Sequence, residues 1–119
     1  MAKFADGFVI PLPKKNIAAY RRMAEVARDV WREHGALDYY ECVGADLAVK
    51  WGATFPRQLK VKRAETVVFS WIFYKSGAHR DRVNAKVMKD PRIVATMNKP
   101  MPFDTKRMLY GGFEVMVEA

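Results

Sequence analysis

The sequence predicts an α+β domain in the order β-α-β-β-α-β, with four antiparallel strands and two helices on one face of their sheet. Three observations predict it. Apolar spacing changes between Leu12 and Ile17, from a short continuous run to steps of three and four residues. The run Thr66-Val-Val-Phe-Ser-Trp-Ile-Phe-Tyr74, rich in β-branched and aromatic residues, stands in mid-chain as the clearest strand. A second helical pattern and a last strand then follow it, repeating the order of the first half.

Phe4 to Leu12 is apolar, too short for a helix, and ends in Pro11 and Pro13, so it reads as a strand. From Pro13 to Gly35 one apolar stripe, Ile17, Tyr20, Met23, Ala24, Ala27, Val30 and Trp31, predicts an amphipathic helix. Proline before it and glycine after it match the usual asymmetry of helix ends. Strand chemistry returns at Ala36–Val43. Residues 44–65 form a long excursion with Gly52, Pro56, Trp51 and Phe55, read as a loop or a hairpin extension; loops of this length are uncommon and often functional. After the strand at 66–74, Ser76 reads as an N-cap and the second helix runs to about Asp90. Pro91 breaks it, and Arg92–Met97 can add a short turn of helix. Met108–Val117 is the last strand, with Gly111-Gly112 inside it as a possible bulge. This is the ferredoxin-like order, and it occupies residues 1–119 as one domain.

Composition bounds the function. The chain has 119 residues, enough for a single core, and half are hydrophobic, which excludes a disordered chain. No run approaches the ~18 apolar residues of a membrane span, and the start has no signal-peptide pattern, so a cytoplasmic protein without a membrane partner is expected. Its single cysteine, Cys42, forbids an intrachain disulfide and fits a reducing compartment. One cysteine and two histidines build no finger-like zinc site, and neither a metal nor a cofactor is expected. The formal net charge of +8 reads first as a solvated surface, with attraction for anions second. The densest basic group, Arg57, Lys60, Lys62 and Arg63, is the candidate anion site.

Alternation splits each strand into two sets. Gly7, Val9, Tyr40, Cys42, Val67, Phe69, Trp71, Phe73, Leu109, Gly111, Phe113, Val115 and Val117 form an almost wholly apolar set, which is expected under the helices. Asp6, Phe8, Ile10, Tyr39, Glu41, Val43, Val68, Ser70, Ile72, Tyr74, Tyr110, Gly112, Glu114 and Met116 form a mixed set, expected to face away from them. That second face is still too apolar for water. Burying ~600 Å² of it is worth roughly 15 kcal/mol gross, from which association costs subtract. A second copy packed sheet against sheet is the expected cover; the 44–65 excursion folding back is the alternative.

The runs Asp6–Asn16, Val30–Leu37, Glu65–Ile72, His79–Met88 and Met101–Asp104, with Tyr110-Gly-Gly-Phe113, together resemble the domain-of-unknown-function 1428 family over nearly the whole chain. The resemblance implies the dimeric α+β barrel superfamily, in which paired ferredoxin-like sheets form a barrel. It implies no reaction.

Chemistry-bearing residues are few. The candidate ligand-binding set is Asp6, Tyr39, Glu41, Ser70, Trp71, His79, Tyr110 and Glu114. Asp6 and Ser70 lie on central strands and suit a lumen. Glu41 and Glu114 lie on opposite edges of one sheet and could meet only across a dimer seam, where paired carboxylates can serve acid–base chemistry. Otherwise each makes an ion pair or reaches solvent. Tyr39, Tyr74 and Tyr110 can present hydroxyls or simply fill core. His79 can act as base or binder at the border of the sheet, and His34 reads as a helix C-cap. Cys42, on the apolar set, reads as a small buried hydrophobe. RNA recognition is disfavoured on two grounds. The third strand lacks the basic-Gly-aromatic-Gly-aromatic pattern of an RNA-recognition motif, and its aromatics are assigned to the helix side. The function expected is a small-molecule binding protein or small-substrate enzyme scaffold. The alternative is a non-catalytic module for an anionic partner such as RNA.

Overall fold

In a computed structural model, which describes residues 2–119, the elements are β1 (Phe4–Pro13), α1 (Ile17–Glu33), β2 (Asp38–Val43), α2 (Phe55–Gln58), β3 (Glu65–Tyr74), α3 (Gly77–Val87), α4 (Pro91–Met97) and β4 (Leu109–Glu114). The sheet order is β2-β3-β1-β4, antiparallel throughout. The central strands β1 and β3 are therefore the long ones, and β2 and β4 are edges. This is the ferredoxin-like α+β fold read from the sequence.

Local chemistry fixes the boundaries. A 3₁₀ turn at Lys14–Asn16 leads into α1, and Asn16 Nδ2 donates to Pro102 O at 2.8 Å, tying the helix start to the loop before β4. Helix α1 ends at Gly35, whose φ of +117° is one that side chains resist. Beyond it, Ala36 N donates to Trp31 O. Ser76 caps α3, accepting from His79 N at 3.1 Å. The second helical region is two helices, since Asp90 caps α4 and Pro91 occupies its first turn. His34 is the C-cap residue of α1, but its ring reaches across to Asp90 Oδ2 at 3.0 Å. Arg92 joins the same carboxylate, and the two partners hold Asp90 well below the ordinary range.

The excursion forms one turn of helix, α2, and no hairpin. Thr54 caps it by accepting from Arg57 N. Arg107 pins the following segment, pairing with both oxygens of Glu65 at 2.7 and 3.0 Å and donating to Lys60 O. Strand β4 stops at Glu114, short of the predicted end, and carries no bulge: Gly111 stands opposite Gly7 in unbroken register. Gly112 leaves the space that the Phe4 ring fills, since a Cβ there would lie 2.7 Å from that ring.

The two faces of the sheet are the reverse of the sequence expectation. Ile10, Leu12, Val68, Ile72 and Tyr74 are buried with α1, α3 and α4 residues Tyr20, Ala24, Val30, Val83, Val87 and Ile93. Asp6 and Ser70 are buried with them, 1% and 4% exposed. The mixed set therefore lies under the helices, away from any lumen. Of the apolar set only Val67 is fully buried. Leu109 is 55% and Phe113 62% exposed on the open face, with Tyr40 and Phe69 about half exposed beside them. Cys42 is exposed there too, not a core filler. The physical reason is that the helices bring polar groups of their own. Tyr20, Arg80 and Asn84 point inward and bond to the sheet residues Glu41, Asp6 and Tyr74, since buried polar groups must be satisfied. Excursion residue Phe55 meets the edge of Phe69 at 6.4 Å between centroids, but the excursion does not cover the open face.

Candidate functional site

Helix α1 crosses the edge strand β2, and between them lies a cleft of about 430 Å³. Leu12, Ile17 and Val68 give it apolar wall, and Arg21, Glu25 and Arg28 of α1 also line it. Such a volume suits a small molecule. Two carboxylates line it, Glu25 on α1 and Glu41 on β2, and Glu41 is the one held by hydroxyls of the fold.

The sequence places Glu41 there by simple periodicity. Tyr39 and Glu41 are two apart in β2 and share its helix-side face. Ser70 is the cross-strand partner of Glu41 in β3. Tyr20, one turn into α1, comes down over them. Tyr20 Oη donates to Glu41 Oε1 at 2.7 Å, and Tyr39 Oη donates to Oε2 at 2.6 Å. These short bonds to an ionised acceptor are the strong kind. Burial nevertheless dominates and raises the Glu41 carboxyl above its ordinary value; the hydrogen bonds from Tyr39, Tyr20 and Ser70 oppose it without cancelling it. Both tyrosines are pushed upward by burial and by the Glu41 charge, so they stay protonated donors. Among the described residues no cation pairs with Glu41. A desolvated carboxylate flanked by two protonated hydroxyls can take or give a proton, or hold a donor group of a bound molecule.

A second polar group sits under α3. Asp6 Oδ1 accepts from Arg80 Nη1 at 2.6 Å and from Tyr110 Oη at 3.3 Å. Arg80 also lies over the Phe4 ring at 4.6 Å and pairs with exposed Asp81. Nearby, Asn84 Oδ1 accepts from Trp31 Nε1 and Tyr74 Oη. Burial raises the Asp6 carboxyl despite Arg80. This group has its charge partner built in, and neither Asp6 nor Arg80 lines the cleft, so it reads as structural.

The candidate residues thus separate. Tyr39, Glu41 and Ser70 come together, and Tyr20 completes them. Asp6 and Tyr110 belong to the pair under α3. Trp71 lies on the open face, stacked on Tyr40 at 5.2 Å. His79 accepts from Lys75 N at Nδ1, and its ring meets Tyr74 edge-on. Burial, with Lys75 and two further cations, lowers its pKa, so it is a neutral part of the α3 cap. Glu114 is exposed on β4, and Glu41 faces α1, so the two do not meet across a sheet-to-sheet seam. Arg57, Lys60, Lys62 and Arg63 are all exposed in the α2 turn and the segment after it. Sequence reasoning missed Tyr20, Arg80 and Asn84. Tyr20 was visible as the one hydroxyl in the α1 stripe, and a hydroxyl on a buried stripe demands an acceptor on the sheet.

No helix is long and apolar enough to cross a membrane, and no cluster of three potential metal ligands occurs, both among the described residues. The fold is similar to a dimeric ferredoxin-like protein from an uncultured marine organism, with TM-score 0.59 and 14% identity over all of both chains. It is also similar to a nipsnap family protein of Agrobacterium tumefaciens C58, with TM-score 0.60 and 15% identity over 96% of this chain and 88% of that one. At these identities the likeness shows the fold alone. In sequence the chain is 43% identical over 116 residues to Uncharacterized protein YbaA of Escherichia coli K12, covering 98% of each, and equally to that of Shigella flexneri. Residues 3–105 match the family model described as Protein of unknown function, DUF1428. The chain belongs to the DUF1428 family.

Proposed function

We propose that the protein is a homodimer joined through its open sheet faces, each copy offering the α1–β2 cleft to a small molecule held by Glu41. The observation that carries the cleft reading is the Glu41 carboxylate itself, desolvated beside about 430 Å³ of space and bonded only to neutral hydroxyls. Asp6, by contrast, has its cation built in as Arg80. The pairing rests on the open face, where Val9, Phe69, Trp71, Phe73, Leu109 and Phe113 line a trough of about 580 Å³ with no charged side chain. A twofold partner meets that face with an identical one. The similar marine protein, described as dimeric, supports a dimer.

Native mass spectrometry of freshly purified protein tests both parts. The expected spectrum is a dimer carrying a small adduct, with the adduct lost in Glu41→Gln. A monomer at micromolar concentration contradicts the pairing. Full adduct retention in Glu41→Gln contradicts the role of Glu41.

One observation favours a second reading, a module for an anionic partner such as RNA. Phe69, Trp71 and Phe73 line the open face, so one of the two grounds against an aromatic platform falls. Arg57, Lys60, Lys62 and Arg63 stand exposed in the segment leading to the same strand. The missing glycine pattern still weighs against it. A co-purified oligonucleotide in the same spectrum supports this reading over the first.

A further inference from the structure

We propose that the α1–β2 cleft takes an organic ammonium compound, an amine on a small apolar body, with Glu41 as its counter-charge. The inference rests on the cleft being a small-molecule site and names the chemistry that site selects.

Glu41 has one tyrosine hydroxyl on each oxygen and no cation within ion-pair distance among the described residues. Tyr20, Tyr39 and the Ser70 hydroxyl take three of the carboxylate's four acceptor directions and leave one in reserve. A charged N–H donor is the group that fills that reserve and neutralises the site together. The rings of Tyr20 and Tyr39 line the same space, and a phenol face attracts a cation. Leu12, Ile17 and Val68 suit the apolar body of the ligand. An anionic ligand meets repulsion from Glu41 and from Glu25 on the cleft wall. A neutral alcohol can hydrogen-bond there but leaves the charge uncompensated. Arg21 and Arg28 also line the cleft, yet Asp29 pairs with Arg28 at 3.0 Å, and Glu25 lies between them on the same helix. Asp29 and Glu25 therefore offset part of that positive charge where it arises.

The charge state of Glu41 gives an independent readout. The groups facing it are Tyr20 from α1, Tyr39 from β2 and Ser70 from β3, with Arg21, Glu25 and Arg28 on the cleft wall. Both tyrosines remain protonated, since burial and the Glu41 charge push them upward. A proton on Glu41 competes with the ammonium. Affinity should rise with pH as Glu41 ionises and then level off.

The test is a titration of the ¹⁵N-labelled full chain, followed by amide chemical shifts, with 2-phenylethylamine, 2-phenylethanol and 3-phenylpropanoate. The amine is expected to shift residues around Tyr20, Tyr39 and Glu41 and to bind at least about tenfold tighter than the other two, an advantage lost in Glu41→Gln. Selectivity and its pH dependence are both read on the wild type, so the result stands even if that variant fails to fold. Equal or tighter binding of the alcohol or the carboxylate at the same residues overturns the ammonium assignment and leaves the cleft reading intact. No shift at the cleft with any of the three overturns both.

Discussion

Arg80→Met is expected to destabilise the fold by about 3–5 kcal/mol, the cost of stranding a buried charge. The Asp6 side chain is 2% exposed and Arg80 is its one ion-pair partner among the described residues, at 2.6 Å. Methionine keeps much of the arginine's stem volume, so the loss isolates the charge. With Arg80 gone, Tyr110 and the neighbouring side chains offer only neutral hydrogen bonds, and the carboxyl, already raised by burial, rises further. The pH sign follows. A carboxyl whose folded pKa lies above its unfolded value of 3.8 disfavours folding once it must ionise. The deficit against wild type should therefore be full above the variant's raised folded pKa and shrink as pH falls toward 3.8. Urea unfolding at several pH values measures it. Asp6→Asn combined with Arg80→Met should recover part of the loss, because no charge is then stranded. A loss under ~1 kcal/mol, the size expected of a surface arginine, contradicts the assignment.

Trp71→Glu is expected to convert the proposed dimer to monomer, raising its dissociation constant at least about 100-fold. Trp71 stands on a central strand, stacked on Tyr40 and met edge-on by Phe69. Indole is lost from the middle of the apolar patch, and twofold symmetry places two carboxylates in one dry interface. The side chain points away from the helix-side core, so far-ultraviolet dichroism should keep its shape while sedimentation mass halves. A wild-type monomer, or a variant of unchanged mass, contradicts the sheet-to-sheet pairing.

Element order was readable because each element carries its own signal. The α1 stripe, the β3 run and the Ser76 cap are local facts that tertiary structure did not override. The break at Pro91 was readable for the same reason, although Asp90 makes the following turn a capped helix in its own right. Which face the helices cover was not readable from how apolar each face is. Aromatic and β-branched residues serve a core and an interface equally well, so Phe69, Trp71 and Phe73 fit both. The decisive information was on the helices. Tyr20 and Arg80 sit where the inner face must be, and each requires an acceptor opposite. Matching them to Glu41 and Asp6 would have set the phase before any count of apolar residues. The candidate site was half legible by the same logic. Tyr39, Glu41 and Ser70 were found by strand alternation, which is sequence-local. Tyr20 came from a helix whose rotation against the sheet no single element specifies. His79 was grouped with them by its helical spacing to Val83 and Val87, and Glu114 by its place on the mixed strand set, but neither position says which polar groups share one cleft.

Glu41 is a carboxylate with its pKa raised by burial and held by hydroxyls with no cation among the described residues. A ¹³C-detected titration of the glutamate side-chain carboxyls in the free protein measures this directly. Glu41 should titrate above 4.5, the ordinary glutamate value, while Glu65, bonded to Arg107, titrates below it. A Glu41 midpoint at or below 4.5 would mean that water or a cation reaches the carboxylate, and the cleft would then lack the group on which its chemistry depends.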